Sequence, residues 1–183
     1  MDTSETNNFS LNTHASRLFI IGFMGSGKTH WGNIWSARHH YTFLDLDDLI
    51  EEQEQHSVTE IFEIKGEDYF RQKEAIMLRS TEQYNNVIVS CGGGTPCFFD
   101  NLNWMKTRGS IIFLQAAPAT LLKNILTQEN KRPLVKKLNE AELLFFIEQK
   151  LKERNDFYKQ AGLILDAEEV HESSLDLFLE TTH

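Results

Sequence analysis

The sequence predicts an α/β protein with three layers, α/β/α, built on a five-stranded parallel sheet. Two patterns carry that expectation. Short apolar runs recur without the polar alternation of a half-solvated strand, and stretches of helical character separate them. This is the signature of parallel strands covered on both faces. The leading runs also pass at once into glycine-rich or acidic segments, and parallel sheets gather their ligands at the carboxyl ends of their strands.

The first run is Leu18-Phe19-Ile20-Ile21, and Gly22-Phe23-Met24-Gly25-Ser26-Gly27-Lys28-Thr29 follows it directly. This octapeptide fits the phosphate-loop pattern G-x-x-x-x-G-K-[ST]. Its glycines let successive backbone N–H groups turn inward around a polyphosphate, Lys28 reaches the β- and γ-phosphates, and the Thr29 hydroxyl is a ligand for Mg²⁺. The following helix adds its positive N-terminal end to the same pocket. Four constrained positions coincide by chance in fewer than about one chain in a hundred of this length, so nucleotide binding is expected.

The second run, Tyr41-Thr42-Phe43-Leu44, leads into Asp45-Leu46-Asp47. Helices are then expected over residues 47–55, 58–64 and 67–84, the second opened by Ser57-Val58-Thr59-Glu60, which spells a capping box. The third run, Val87-Ile88-Val89, passes into Ser90-Cys91-Gly92-Gly93-Gly94. Helical character over 100–106, 118–127, 140–158 and 173–180 brackets the last two runs, Ile111-Ile112-Phe113-Leu114 and Leu163-Ile164-Leu165.

At 183 residues with ordinary apolar content, one domain buries its own core. Residues 1–16 are polar, lack an apolar signal core and are expected to form a disordered lead ahead of a single domain over 17–183. No apolar run approaches the length that crosses a bilayer. A formal charge of −9 argues against a nucleic-acid partner and makes the placement of each Lys and Arg informative. Cys91 and Cys97 fit no metal or redox spacing and point to reduced thiols in a cytoplasmic setting. A monomer is expected.

The candidate chemistry lies at the strand ends. Asp45 and Asp47 alternate, so in an extended segment both carboxylates face one side, one for a Mg²⁺-bound water and one for a substrate hydroxyl proton. The alternative is a solvated acid beside a helix cap. Gly92-Gly93-Gly94 permits close backbone approach to an anion, or is a tight turn only. Arg71 and Glu74 share a helix face, either as an exposed ion pair or as an arginine held by Glu74 for a substrate carboxylate. Arg132, in a polar stretch over 128–138, is the cation of a lid or part of a solvated loop. Arg154 is a site arginine or a surface charge. His39, His40 and His56 are read as surface or packing residues.

Assembled, these residues resemble the shikimate kinase family, over roughly residues 18–166. Its phosphate loop is similar to residues 22–29, and its D-x-D segment to Phe43-Leu44-Asp45-Leu46-Asp47. The paired-helix motif I-F-x-x-x-G-E-x-x-F-R-x-x-E matches Ile61 through Glu74, and is far more specific than the phosphate loop. Arg132-Pro133-Leu134 resembles the family's lid, Gly92 to Gly94 its triple-glycine strand end, and Glu153-Arg154 through Tyr158 a helix with a further substrate arginine. The resemblance implies a P-loop kinase fold of the nucleoside monophosphate kinase type, with acceptor-binding helices over 47–84. It implies transfer of the ATP γ-phosphate to the shikimate 3-hydroxyl. By that resemblance Gly25, Ser26, Gly27, Lys28, Thr29, His30 and Arg132 hold ATP, and Thr29 and Asp45 organise Mg²⁺. Asp47, Arg71, Gly92, Gly93, Gly94 and Arg154 bind shikimate, and Lys28, Asp47 and Arg132 are catalytic. Other readings are a kinase for another hydroxy acid such as gluconate, or a weakly catalytic nucleotide-binding regulator. Two positions depart from the family pattern. His30-Trp31 follows the phosphate loop, where altered packing is expected, and Ile125 stands where an adenine-stacking arginine is often found.

Overall fold

The computed structural model of the protein describes residues 16–127 and 138–182. Five parallel strands, β1 (Arg17–Ile21), β2 (Thr42–Asp45), β3 (Val87–Ser90), β4 (Ser110–Gln115) and β5 (Leu163–Asp166), form one sheet in the order β2-β3-β1-β4-β5. Within β1, Leu18 and Ile20 pack into one apolar cluster with Trp35, Ile88 and Leu114. Phe19 and Ile21 pack into another with Val89, Phe113 and Tyr158. The two-residue strand period thus feeds two cores, so a central strand here must be apolar at every position. The edge strands relax that demand: β2 and β5 are only partly buried, and Ile164 is half-exposed. The continuous apolar runs predict burial throughout, but only three strands have neighbours on both sides.

The helices are α1 (Lys28–His39), α2 (Leu46–Glu54), α3 (Val58–Lys65), α4 (Glu67–Ser80), α5 (Asn101–Arg108), α6 (Pro118–Thr127), α7 (Glu140–Tyr158) and α8 (Asp176–Thr182). The Ser57–Glu60 capping box forms as spelled. The helix expected over 67–84 ends as α at Ser80 and tightens to a 3₁₀ turn over Thr81–Gln83, where the Thr81 hydroxyl bonds back to the Leu78 carbonyl.

α1 contributes Trp35 to one core, whereas α5, which follows β3, contributes Leu102 and Met105 to the other. Neighbouring strands β1 and β3 therefore send their next helices to opposite faces, which opens a crevice at their carboxyl ends. α8 closes the α1 side. Its Asp176 pairs with Arg38 and His39, and the Trp35 indole donates to the His171 carbonyl. His39 is thus a docking residue, and burial holds it below its ordinary range despite Asp176.

On the other side α2, α3 and α4 are joined at Glu54. Its carboxylate accepts from Lys65 (2.6 Å) and Tyr69 (2.8 Å) and pairs with Lys73 (2.8 Å). These hydrogen bonds, Lys65 first, hold the carboxyl at about 2. One acid thus ties together three helices that also share a small apolar cluster of Ile50, Ile61 and Phe70.

Candidate active site

β1 ends at Ile21 and the chain turns at Gly22 (φ 149°), then twice more at Gly25 and Gly27 with left-handed φ of 83° and 92°. A Cβ at Gly22 would stand 2.7 Å from the Leu114 carbonyl oxygen, so the close approach of loop and β4 requires glycine there. Gly27 caps α1 without a side chain, and no acidic residue lies in the first turn to compete with an anion. Lys28 Nζ donates to the carbonyls of Gly22 (2.9 Å) and Phe23 (3.0 Å), which holds the ammonium across the loop. Ser26 is buried within the loop.

The residues after the loop settle one departure. Trp31 packs against Gly27, stacks on Trp35 at 5.8 Å and joins the core on the α1 side. His30 is exposed, with its ring edge-on to Trp31 at 5.0 Å. Packing thus absorbs Trp31 but not His30. Ile125, where an adenine-stacking arginine is often found, is 2% exposed and lies against Gly25, while its neighbour Asn124 donates to the Gly25 carbonyl at 2.8 Å. The α6 positions therefore brace the loop from beneath.

Asp45 ends β2 and Asp47 lies in the first turn of α2. The alternation of the two acids predicts one extended segment; the helix begins earlier because the Asp45 carboxylate caps it, accepting from the Asp47 N–H at 3.1 Å. The other Asp45 oxygen accepts from Thr29 Oγ1 at 2.8 Å. A hydroxyl and a carboxylate oxygen are thereby paired beside the first turn of α1. Asp47 reaches the same crevice from α2, with Oδ1 3.4 Å from the point to which a Cβ on Gly92 would project.

Three glycines after β3 fit against three different charged side chains. A Cβ would lie 2.5 Å from Glu74 at Gly92, 3.2 Å from Arg154 at Gly93 and 2.7 Å from the Arg71 guanidinium at Gly94. The Gly94 backbone is ordinary (φ −92°), so what it requires is space.

The Arg71–Glu74 pair is buried. Arg71 is 7% exposed and Glu74 0%. The guanidinium donates through NH1 to Glu74 (2.9 Å) and through Nε and NH2 to one oxygen of Glu67 (3.2 and 3.1 Å). Thr95 donates to the second Glu74 oxygen at 2.6 Å, which gives the buried carboxylate a partner on each side. The reading of an exposed helix pair fails, because α4 turns this face into the crevice.

Arg154 arrives from α7. It stands over Phe23 of the phosphate loop (5.6 Å to the ring) and against Gly93, whose carbonyl accepts from the Tyr158 hydroxyl. Burial pushes Tyr158 up to about 12, with Arg154 opposing. Burial likewise pushes the Cys97 thiol up to about 11, against the pull of Arg154 and Arg71.

Phosphate loop, Thr29–Asp45, Asp47, the glycines, Arg71 and Arg154 thus converge on the carboxyl end of the sheet. Arg132 and the rest of the expected lid over 128–137 lie outside the described residues, as does most of the expected 1–16 lead. Thr95, Phe98, Asn124 and Tyr158 also line or brace the site, and sequence reasoning missed them. Only Thr95 carried a usable signal, a hydroxyl directly after the glycine run.

A phosphate loop, an adjacent hydroxyl–carboxylate pair and two arginines facing a small crevice define a P-loop kinase acting on a small anionic acceptor. Comparison with known proteins supplies the family. The family model described as shikimate kinase matches residues 24–182, and the chain belongs to that family of ATP-dependent kinases. A shikimate kinase of Phocaeicola vulgatus is 39% identical over 157 residues, 86% of this chain and 90% of the relative. The crystal structure of shikimate kinase from Bacteroides thetaiotaomicron superposes with a TM-score of 0.85 at 37% identity, covering 91% of this chain and 97% of the other. Shikimate kinase from Acinetobacter baumannii, solved in complex with shikimate, gives 0.80 at 26%, covering 91% and 94%. A gluconokinase from Sinorhizobium meliloti, at 14% identity and a TM-score of 0.56, shares the fold alone.

Proposed function

We infer that this chain transfers the γ-phosphate of ATP to the 3-hydroxyl of shikimate, and that the crevice above is where it does so. One observation carries the reading. Arg71 packs on Gly94, Arg154 lies 3.2 Å from a Cβ position on Gly93, and that position is 3.4 Å from the Gly22 carbonyl held by Lys28. Two cations for a carboxylate therefore adjoin the cation for a phosphate. An acceptor with a carboxylate at one end and a hydroxyl at the other spans that gap.

In this reading Gly25, Ser26, Gly27, Lys28, Thr29 and His30 surround the ATP phosphates through backbone N–H groups and the Lys28 ammonium. Arg71 and Arg154 fix the acceptor carboxylate, and Gly92, Gly93 and Gly94 let the acceptor lie against backbone. Asp47 orients the reacting hydroxyl and accepts its proton. Arg132 is assigned from its motif alone, as the lid cation that neutralises charge on the transferring group. Little covalent work falls to the protein: positioning and electrostatic stabilisation supply the rate.

Thr29 and Asp45 fit Mg²⁺. They offer hard oxygen donors 2.8 Å apart beside the phosphate loop. Among the described residues no group of three or more His, Cys, Asp or Glu could cage a metal, in keeping with a cation that is held by one or two protein oxygens, water and phosphate. When bound, Mg²⁺ neutralises charge on the phosphate oxygens. The same reading has a cytoplasmic monomer acting on small molecules; no described helix is long and apolar enough to cross a membrane.

Purified protein with Mg-ATP is assayed for ADP release with shikimate, gluconate or no acceptor. Release dependent on shikimate is expected. Release with gluconate alone overturns the acceptor, and equal release without acceptor favours a nucleotide-driven regulator.

A further inference from the structure

The Arg71 guanidinium has a third kind of neighbour besides its two carboxylates. Three aromatic rings face it, Phe98 at 4.5 Å, Phe70 at 5.2 Å and Phe62 at 5.7 Å from the guanidinium carbon. Phe62 and Phe70 belong to α3 and α4 and pack on each other at 4.7 Å. Phe98 is nearest and comes from elsewhere, the loop that follows the 3₁₀ turn Thr95–Cys97.

That loop is built to hold Phe98 where it is. Thr95 anchors its start to Glu74. Asn101, 0% exposed, donates to the Thr95 carbonyl (3.0 Å) and accepts from Arg79 of α4 (2.7 Å), which fastens the loop's far end to the helix that carries Arg71. Between these anchors Phe99 takes a left-handed backbone (φ 49°) although its side chain is 66% exposed. A bulky residue adopts that conformation only where its surroundings impose it. Here the reversal at Phe99 lets the extended residue before it send its ring inward over the guanidinium.

The donor inventory says what the ring is for. Arg carries five N–H groups in a rigid plane, and Glu67 and Glu74 take three of them. Among the described residues the other two have no partner and are left for a ligand, and their direction is set by the tilt of the plane. A ring face within about 6 Å attracts a guanidinium and restricts its tilt.

We propose that Phe98 is a positioning residue for the acceptor carboxylate. Its ring fixes the Arg71 plane so that the remaining N–H pair faces the crevice, and it thereby sets the preference for a carboxylate over a neutral group at that end of the acceptor. Phe98 acts through Arg71 and needs no contact with substrate. The inference rests on the acceptor reading above.

The test measures kcat and both KM values for the unsubstituted protein, Phe98→Leu and Phe98→Tyr, with shikimate and its carboxamide as acceptors, alongside melting temperatures. Phe98→Leu should raise the KM for shikimate about tenfold, the scale of a desolvated cation–ring contact. It should leave kcat and the KM for ATP within about twofold and narrow the discrimination between acid and amide. Phe98→Tyr, which keeps the ring face, should restore both. Unchanged discrimination in Phe98→Leu overturns the proposal. So does a loss shared by Leu and Tyr that tracks a lowered melting temperature, since the ring would then serve packing alone. If the unsubstituted protein does not phosphorylate shikimate, the acceptor reading itself has failed, a result distinguishable from either of these.

Discussion

Replacing Arg71 by alanine should do two separable things. Glu74 is wholly buried and accepts from Arg71 on one oxygen and Thr95 on the other. Without the guanidinium it becomes a buried carboxylate with a single neutral donor. Breaking a buried pair in this way costs about 3–5 kcal/mol, and the low end applies because Arg71 borders the open crevice. Its second partner, Glu67, is largely exposed and adds less than about 1 kcal/mol. Separately, losing charged hydrogen bonds to an acceptor carboxylate costs about 1.5–3 kcal/mol, or roughly 10- to 150-fold in KM. A second variant, Arg71→Met with Glu74→Met, removes both charges at similar volume. Its stability should return to within about 2 kcal/mol, the residue being the stranded Thr95 hydroxyl, while the acceptor KM stays raised. Urea unfolding and steady-state kinetics with varied shikimate read the two effects. Recovery of the KM together with stability in the double variant would show that Arg71 only holds the fold, and would refute its role in binding.

Thr29→Val removes the hydroxyl that donates to Asp45 but leaves the Asp45 cap on α2 intact. The Mg²⁺ concentration for half-maximal rate should rise roughly 10- to 100-fold with little change in melting temperature; an unchanged Mg²⁺ titration refutes the ligand role. Ile125→Arg, which restores the arginine often found in the family, should destabilise by at least about 3 kcal/mol, because the site lies buried against Gly25. A stable variant with tighter ATP binding would contradict the bracing role. The Glu54 carboxyl sits at about 2 against an ordinary 4.5, so the folded state resists protonation more than the unfolded chain does. That contribution is complete above about pH 4.5 and drains as pH falls toward 2. Glu54→Gln should flatten the stability profile across this window, and parallel profiles for the two proteins would refute the assignment.

What could be read from the chain alone follows local rules. The phosphate loop depends on glycine conformations and a Lys-Thr pair at fixed spacing, and its neighbours on the sheet depend on the strand period. Of the seven helices expected with numbered bounds, six start within one residue of the expected position, and only α8 starts three residues late. The Ser57 box is such a rule, spelled and formed within four residues. The resemblance extended this to Arg71 and Arg154, because a motif preserves which residues matter even when spacing does not say why.

Folding alone decided which charges would be buried and what would stand beside them. Arg71 and Glu74 read equally well as a solvated pair, until α4 turned them toward a glycine run some twenty residues downstream. Phe98, Thr95 and Asn101 had no periodicity to mark them, and they acquire meaning only through partners on α4. Ile125 is a bracing residue because its side chain stands 3.2 Å from where a Cβ on Gly25, a hundred residues earlier, would project. The physical reason is common to all three. A side chain's hydration, its hydrogen-bond partners and hence its energy are set by atoms that sequence separation does not specify.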